Sequence, residues 1–270
     1  MPGRHGCEYS PVAPAGNGLR EMVFAQVCSV IYTPAMSSKP VIAVAHRGAS
    51  AVAPENTVAA FDEAVRMGAK AVEFDLRLSS DGVPVVLHDE TVNRTTNGTG
   101  PVAKLSQFEL LRLDAGSWMH VRFVGTRIPT LAEALLAIGP HARPVIELKV
   151  PVPADVLLPM LRRFDLEQEA LVISFEESWL RPLRKTSRDL ALGLLADRWT
   201  GDLPQRARGL AAEVIGLHVD ALGTAQVGAC EAQGLEVWCY TANDVGLVAA
   251  CAAMGVTGII TDRPDLIRTR

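Results

Sequence analysis

From residue 41 onward, short runs of β-branched and other apolar residues alternate with longer stretches in which apolar positions recur at intervals of three and four. The short runs are VIAVA (41–45), KAVEFDLRL (70–78), PVIELKV (144–150), ALVISF (170–175), LALGLLA (190–196), EVIGLHV (213–219), LEVWCYT (235–241) and TGIIT (257–261). Each reads as a strand. The stretches between them, among them TVAAFDEAVRMG, TLAEALLAI, ADVLLPMLRRF, EESWLRPLRK, LPQRARGLAAE, AQVGACEAQG and DVGLVAACAAMG, read as helices. Gly68, Gly234 and Gly255 stand where a helix C-terminus favours a left-handed residue. Eight strands with helices between them predict an α/β fold, a TIM-type (β/α)8 barrel. A doubly wound open sheet is the alternative, but no GxGxxG follows the first strand.

The regular spacing breaks once. Between Leu78 and Pro144 the chain is too long for a simple strand–helix unit. SSDG reads as a turn, VPVVLH as a further strand, NRTTNGTGPV as a polar loop and SQFELLRLD as a short amphipathic helix. This makes a small insertion after the second strand, about residues 89–130, placed on the barrel rim over the catalytic end. Residues 1–36 are expected to be a poorly ordered N-terminal extension, and residues 37–270 the barrel domain. The apolar piece MVFAQVCSVIY in the extension is too short to cross a bilayer, so no stable membrane insertion is expected. A cytoplasmic location is expected, with export as the alternative if residues 1–36 act as a signal.

Composition narrows this without redirecting it. The 270 residues are 49% hydrophobic, enough for one large core, and a net charge of −4 argues against a nucleic-acid partner bound through its phosphates. The five cysteines include no CxxC pair, which supports neither a disulfide framework nor a zinc site. Cys239, inside an apolar strand, reads as a small buried hydrophobe rather than a nucleophile.

Candidate chemistry gathers at the ends of the first strands. Side chains two apart in a strand share a face, so Glu73 with Asp75, and Glu147 with Lys149, project into the barrel near its mouth. Three converging carboxylates repel one another and need a cation. One divalent ion, Mg²⁺ or Ca²⁺, suits an all-oxygen ligand set. The bland alternative is that Arg47 and Lys149 alone neutralise the acids. His46 follows the first strand and His88 ends the VPVVLH run. The pair suits acid–base work near neutral pH, or both could ligate the metal. Arg47 and Lys149 would offer a planar fork and a point charge to phosphate oxygens. Gly48 allows a positive φ or a close backbone approach, Asn56 or Thr57 caps the following helix, and Glu55 braces the loop.

The motifs HRGASAVAPENTVAAF, EFDLRLSSDGVPVVLHDETVNRTTNGTG, GTRIPTLAEAL and IELK, followed by ISF, YTAND and TDRP, resemble the glycerophosphodiester phosphodiesterase family over residues 41–270. The resemblance implies a TIM-type barrel that hydrolyses small-molecule glycerophosphodiesters to an alcohol and glycerol 3-phosphate with a divalent cation. It implies His46 and His88 as the acid–base pair, Glu73, Asp75 and Glu147 as metal ligands, and Arg47 and Lys149 on the phosphate. It also suggests that a glycerol hydroxyl attacks phosphorus to give a cyclic intermediate that water opens. Where many members have Trp in a WTxND motif this chain has Tyr240, and Phe175 and Tyr240 could line the glycerol or head-group side or simply fill the barrel. Trp238 and His218 are further candidates for the alcohol pocket. A lysophospholipase D-like enzyme on the same machinery is the alternative. A non-catalytic phosphate-binding module is a weaker one, since all seven polar site residues are present.

Overall fold

The computed structural model describes residues 40–139 and 141–267. The extension assigned to residues 1–36, with its signal reading, lies outside the described residues. The order is β1 (Ile42–Ala45), α1 (Val58–Arg66), β2 (Ala71–Leu78), β3 (Pro84–Val86), α2 (Gln107–Leu110), α3 (Leu131–Ile138), β4 (Arg143–Leu148), α4 (Ala154–Arg163), β5 (Leu171–Ser174), α5 (Glu177–Thr186), β6 (Ala191–Ala196), α6 (Leu203–Gly209), β7 (Val214–His218), α7 (Thr224–Glu231), β8 (Glu236–Tyr240), α8 (Val245–Ala253) and β9 (Gly258–Thr261). Strands β1, β2 and β4 to β9 pair in parallel, and β1 pairs with both β9 and β2, which closes the sheet. The result is the eight-stranded TIM-type barrel, built from the eight runs read in the sequence.

Closure leaves each strand with two buried faces. The outward face packs on the helices. In α1 the buried positions are Ala60, Phe61 and Ala64, one stripe of the helix, and the Phe61 ring lies 5.7 Å from Phe74 of β2. The inward face carries Val44, Val145, Leu171, Val214, Ile260 and the indole of Trp238. Trp238 fits because its neighbour Gly258 has no side chain: a Cβ there would sit 2.7 Å from the ring. This fills the lower barrel as a packed core and leaves only the C-terminal mouth open to chemistry.

The insertion is anchored by β3, which pairs antiparallel to β2 in the register Leu76–Val86 and Leu78–Pro84. It has its own small core of Val85, Leu87, Val92, Val102, Leu110 and Ile128. Its helix α2 starts on a capping box between Ser106 and Glu109. Two predicted helices are markedly shorter than their patterns: SQFELLRLD is helical only over Gln107–Leu110, and the pattern over 203–213 ends at Gly209, because Ala211 turns left-handed with φ +50°. Gly68, Gly234 and Gly255 have φ of +83°, +72° and +96°, as their positions after the helices require. Cys230, Cys239 and Cys251 are free and buried, and burial beside a second thiol pushes the Cys239 thiol up, as befits a core residue.

Candidate active site at the barrel mouth

The loop after β1 turns sharply. Arg47 and Gly48 take φ of +55° and +84°, and Gly48 lies so close to α1 that a Cβ would sit 2.6 Å from the backbone of Ala60. Of the two uses read for this glycine, a positive φ or a backbone approach to a ligand, the positive φ is made, and the close approach is to a helix instead. Gly48→Ala is expected to destabilise the protein by roughly 2 to 4 kcal/mol, the sum of a left-handed residue and a backbone clash. Denaturant unfolding measures it; a change within about 0.5 kcal/mol of zero would contradict the geometry.

The turn brings the Arg47 amide to Glu73, whose Oε2 accepts it at 2.9 Å. The Arg47 guanidinium donates to Glu55 Oε1 at 2.8 Å and stands 3.2 Å from Asp75 Oδ2. Glu55 thus braces the loop as expected. Thr57, not Asn56, caps α1, accepting from the Ala60 amide. Asn56 has a different task. Its Nδ2 donates to Asp75 Oδ2 at 2.7 Å and its Oδ1 accepts the Asp75 amide at 3.1 Å, so a buried amide clamps a buried acid. A capping role was sufficient for Asn56 in the sequence because nothing there shows that the loop folds back over β2.

Glu73, Asp75 and Glu147 are buried, and each offers an oxygen within 4.8 Å of the other two. Lys149 forms an ion pair with Glu147 and stands 3.3 Å from Asp75 Oδ1, a distance without the alignment of a hydrogen bond. Glu73 Oε1 and Asp75 Oδ1 are buried with no hydrogen-bond partner. Burial, reinforced by Asp75 and Glu147, raises the Glu73 pKa, and burial with Asp75 nearby pushes Glu147 up to about 7. Burial acts the same way on Asp75, but Arg47 and Lys149 outweigh it and hold Asp75 below the usual range. The two nearby cations therefore hold Asp75 low but leave Glu73 and Glu147 raised. Partnerless oxygens on hard carboxylate ligands fit a divalent cation of the Mg²⁺ or Ca²⁺ kind.

Both histidines reach the same cavity. His46 Nδ1 lies 2.6 Å from Asp262 Oδ1, and Asp262 is itself held by Ser50 Oγ at 3.0 Å and Asn243 Nδ2 at 2.6 Å. His88 lies two residues beyond β3, so it comes from the insertion's anchor strand rather than a barrel strand; its Nδ1 is 2.7 Å from Asp89 Oδ1 and Arg77 Nε donates to its carbonyl at 2.9 Å. Burial lowers the His88 pKa despite Asp75 and Asp89. Among the described residues, the converging ligand atoms come from the three carboxylates and include neither imidazole. Asp262, Asp89 and Asn243 lie in the TDRP, LHDE and YTAND motifs, so the signal was present in the text of the chain; what no spacing reveals is that they contact the histidines.

The cavity, about 200 Å³, is lined by the charged or titratable His46, Arg47, Glu73, His88, Glu147 and Lys149 and by Ile173, Phe175, Leu195, Tyr240, Thr241 and Ile260. Phe175 and Tyr240 line the cavity, and Tyr240 packs against the barrel-interior cluster as well; their rings meet edge to face at 5.9 Å. The Tyr240 hydroxyl donates to Asp197 Oδ1 at 3.1 Å, and the His218 ring packs against Tyr240 at 5.7 Å from behind. Trp238 is in the barrel interior and lines no part of this cavity.

Fold and mouth together define a barrel enzyme of phosphoester chemistry. The model of the glycerophosphoryl diester phosphodiesterase family matches residues 46–266. The chain belongs to this family, and its reaction is the hydrolysis of glycerophosphodiesters. It is 37% identical to the Bacillus subtilis protein YhdW, over 83% of this chain and 95% of that one. It is 35% identical to the glycerophosphodiester phosphodiesterase of Caldanaerobacter subterraneus, over 84% and 96% of the two chains. Among solved structures, the Oleispira antarctica phosphodiesterase in complex with its product sn-glycerol-3-phosphate superposes with a TM-score of 0.80 at 32% identity, covering 85% of this chain and 95% of that chain.

Proposed function

We propose that the chain cleaves glycerophosphodiesters to sn-glycerol 3-phosphate and an alcohol, with His46 and His88 as the acid–base pair and one divalent cation held by Glu73, Asp75 and Glu147. The observation that carries this reading is the convergence of three buried carboxylates, Glu73 Oε1 among them without a hydrogen-bond partner, beside a cavity that Glu73, Glu147 and both imidazoles line. When bound, the cation supplies Lewis-acid stabilisation of charge on the phosphoryl oxygens. Arg47 and Lys149 share that task as fixed positive groups. His88, whose burial favours the neutral ring, takes the proton of the glycerol hydroxyl that attacks phosphorus, and water afterwards opens the resulting cyclic phosphate to glycerol 3-phosphate. His46, with Asp262 on Nδ1, delivers a proton from Nε2 to the departing alcohol oxygen. The apolar wall of Ile173, Phe175, Leu195 and Tyr240 packs against the carbon side of the substrate and keeps bulk water from the reacting centre.

Purified protein given sn-glycero-3-phosphocholine with Mg²⁺ or Ca²⁺ is expected to release glycerol 3-phosphate. Absence of product with either ion would remove the reading. A lysophospholipid substrate on the same machinery is favoured by a specific observation: Phe108, Val121 and Val124 of the insertion are well exposed. Rates on water-soluble and acylated diesters measured side by side decide between them. Among the described residues no helix is long and apolar enough to cross a membrane.

A further inference from the structure

Arg94 lies in the polar NRTTNG loop of the insertion, outside the cavity lining. Its guanidinium nonetheless makes four hydrogen bonds, all to carboxylates that hold site residues. Nε donates to Asp89 Oδ2 at 2.8 Å and Nη2 to Asp89 Oδ1 at 2.8 Å. The other edge of the fork donates to Glu55, from Nη1 to Oε2 at 2.7 Å and from Nη2 to Oε1 at 2.9 Å. Asp89 is the partner of His88 Nδ1, and Glu55 is the partner of the Arg47 guanidinium. A continuous chain of alternating charge therefore runs from His88 through Asp89, Arg94 and Glu55 to Arg47 and Asp75.

We propose that Arg94 is a positioning residue, which fixes the His88 imidazole and the Arg47 fork relative to each other through Asp89 and Glu55. The inference rests on the reading of His88 and Arg47 given above. Asp89 bonded to Nδ1 leaves Nε2 as the nitrogen that exchanges a proton, and an Asp89 held at both oxygens cannot rotate to release the ring. Glu55 held in the same way sets the plane of the Arg47 fork. Lysine could not replace Arg94, because a single ammonium cannot serve two carboxylates in two bidentate pairs. Stability is a poor explanation for this network. The Arg94 side chain is 44% exposed, and ion pairs so open to water contribute little to folding. Geometry is what it controls, and a displacement of about 1 Å in a reacting group costs on the order of a hundredfold in rate.

Steady-state kinetics of Arg94→Ala on sn-glycero-3-phosphocholine with Mg²⁺, beside the parent enzyme and His88→Ala, test the inference. The expected result is a kcat lower by roughly 10- to 100-fold, from the loosened imidazole, together with a KM raised several-fold, from the freed Arg47. The thermal midpoint should stay within a few degrees of the parent, added guanidinium should restore part of kcat, and Arg94→Lys should resemble the alanine variant. Both constants within about twofold of the parent overturn the inference. So does a lower kcat at unchanged KM without guanidinium recovery, which would mark a merely structural residue. If the alanine protein does not fold, Arg94→Lys carries the same comparison. An inactive His88→Ala beside a normal Arg94 variant defeats the positioning role alone, whereas a fully active His88→Ala defeats the reading of the site on which it rests.

Discussion

Replacement of His46 by alanine is expected to lower kcat on glycerophosphodiesters by roughly 10²- to 10⁴-fold, the usual worth of a positioned general acid. The ring has no substitute nearby. His88 is committed to Asp89, and Lys149 is tied to Glu147 and Asp75. The His46 side chain is partly exposed, so its loss removes little packing and the thermal midpoint should hold. Asp262→Asn provides an internal control. It keeps the shape but weakens the acceptor on Nδ1, so its kcat should fall between the parent and the alanine variant. Kinetics of His46→Ala close to those of the parent would sink the assignment of His46 as acid.

Removal of divalent ions should abolish turnover and also change how stability depends on pH. In the metal-free protein Glu147 has a folded-state pKa of about 7 against an ordinary 4.5. A raised carboxyl pKa means that the folded state binds more protons between these values, so this group's contribution is fully present below about pH 4.5 and is lost as pH rises through about 7. The loss is of the order of 3 kcal/mol if Glu147 titrates alone. Glu73 is raised by the same burial and adds to it, while Asp75, held low by Arg47 and Lys149, does not. A cation that neutralises the cluster binds only the ionised, folded form. Mg²⁺ or Ca²⁺ at a hundred times its dissociation constant should thus stabilise by about 2.7 kcal/mol near pH 8 and by much less near pH 5. Thermal unfolding at the two pH values, with and without ion, checks this. A midpoint at pH 8 that the ion leaves unchanged would show that the three acids hold no cation.

Alternating short apolar runs and amphipathic stretches were enough to read the barrel, because both periodicities follow from local backbone geometry and the burial of one stripe or two faces. The same logic placed Glu73 and Asp75 on one face and put the cap at Asn56 or Thr57, of which Thr57 is the one used. It failed where the contact depends on a loop's path. Asn56 reads as a local cap, yet the left-handed turn at Arg47 and Gly48 carries it onto Asp75. His88 ends a strand already read as part of the rim interruption, but the antiparallel pairing of that strand with β2 came only with the fold.

The chain by itself determined the eight strands, the three acids and two cations at their ends, the two histidines and the site of the insertion. Each of these follows from residue type and spacing of two or three to four. Only the tertiary structure decided which acid is satisfied and which oxygens lack partners, and that Asp262 and Asp89 hold the imidazoles. It also joined Arg94 to both halves of the mouth and put Tyr240 at the cavity but Trp238 below it. The physical reason is that these contacts join residues as far apart as His46 and Asp262, 216 positions in the chain, and are brought together only when β1 pairs with β9 and the sheet closes.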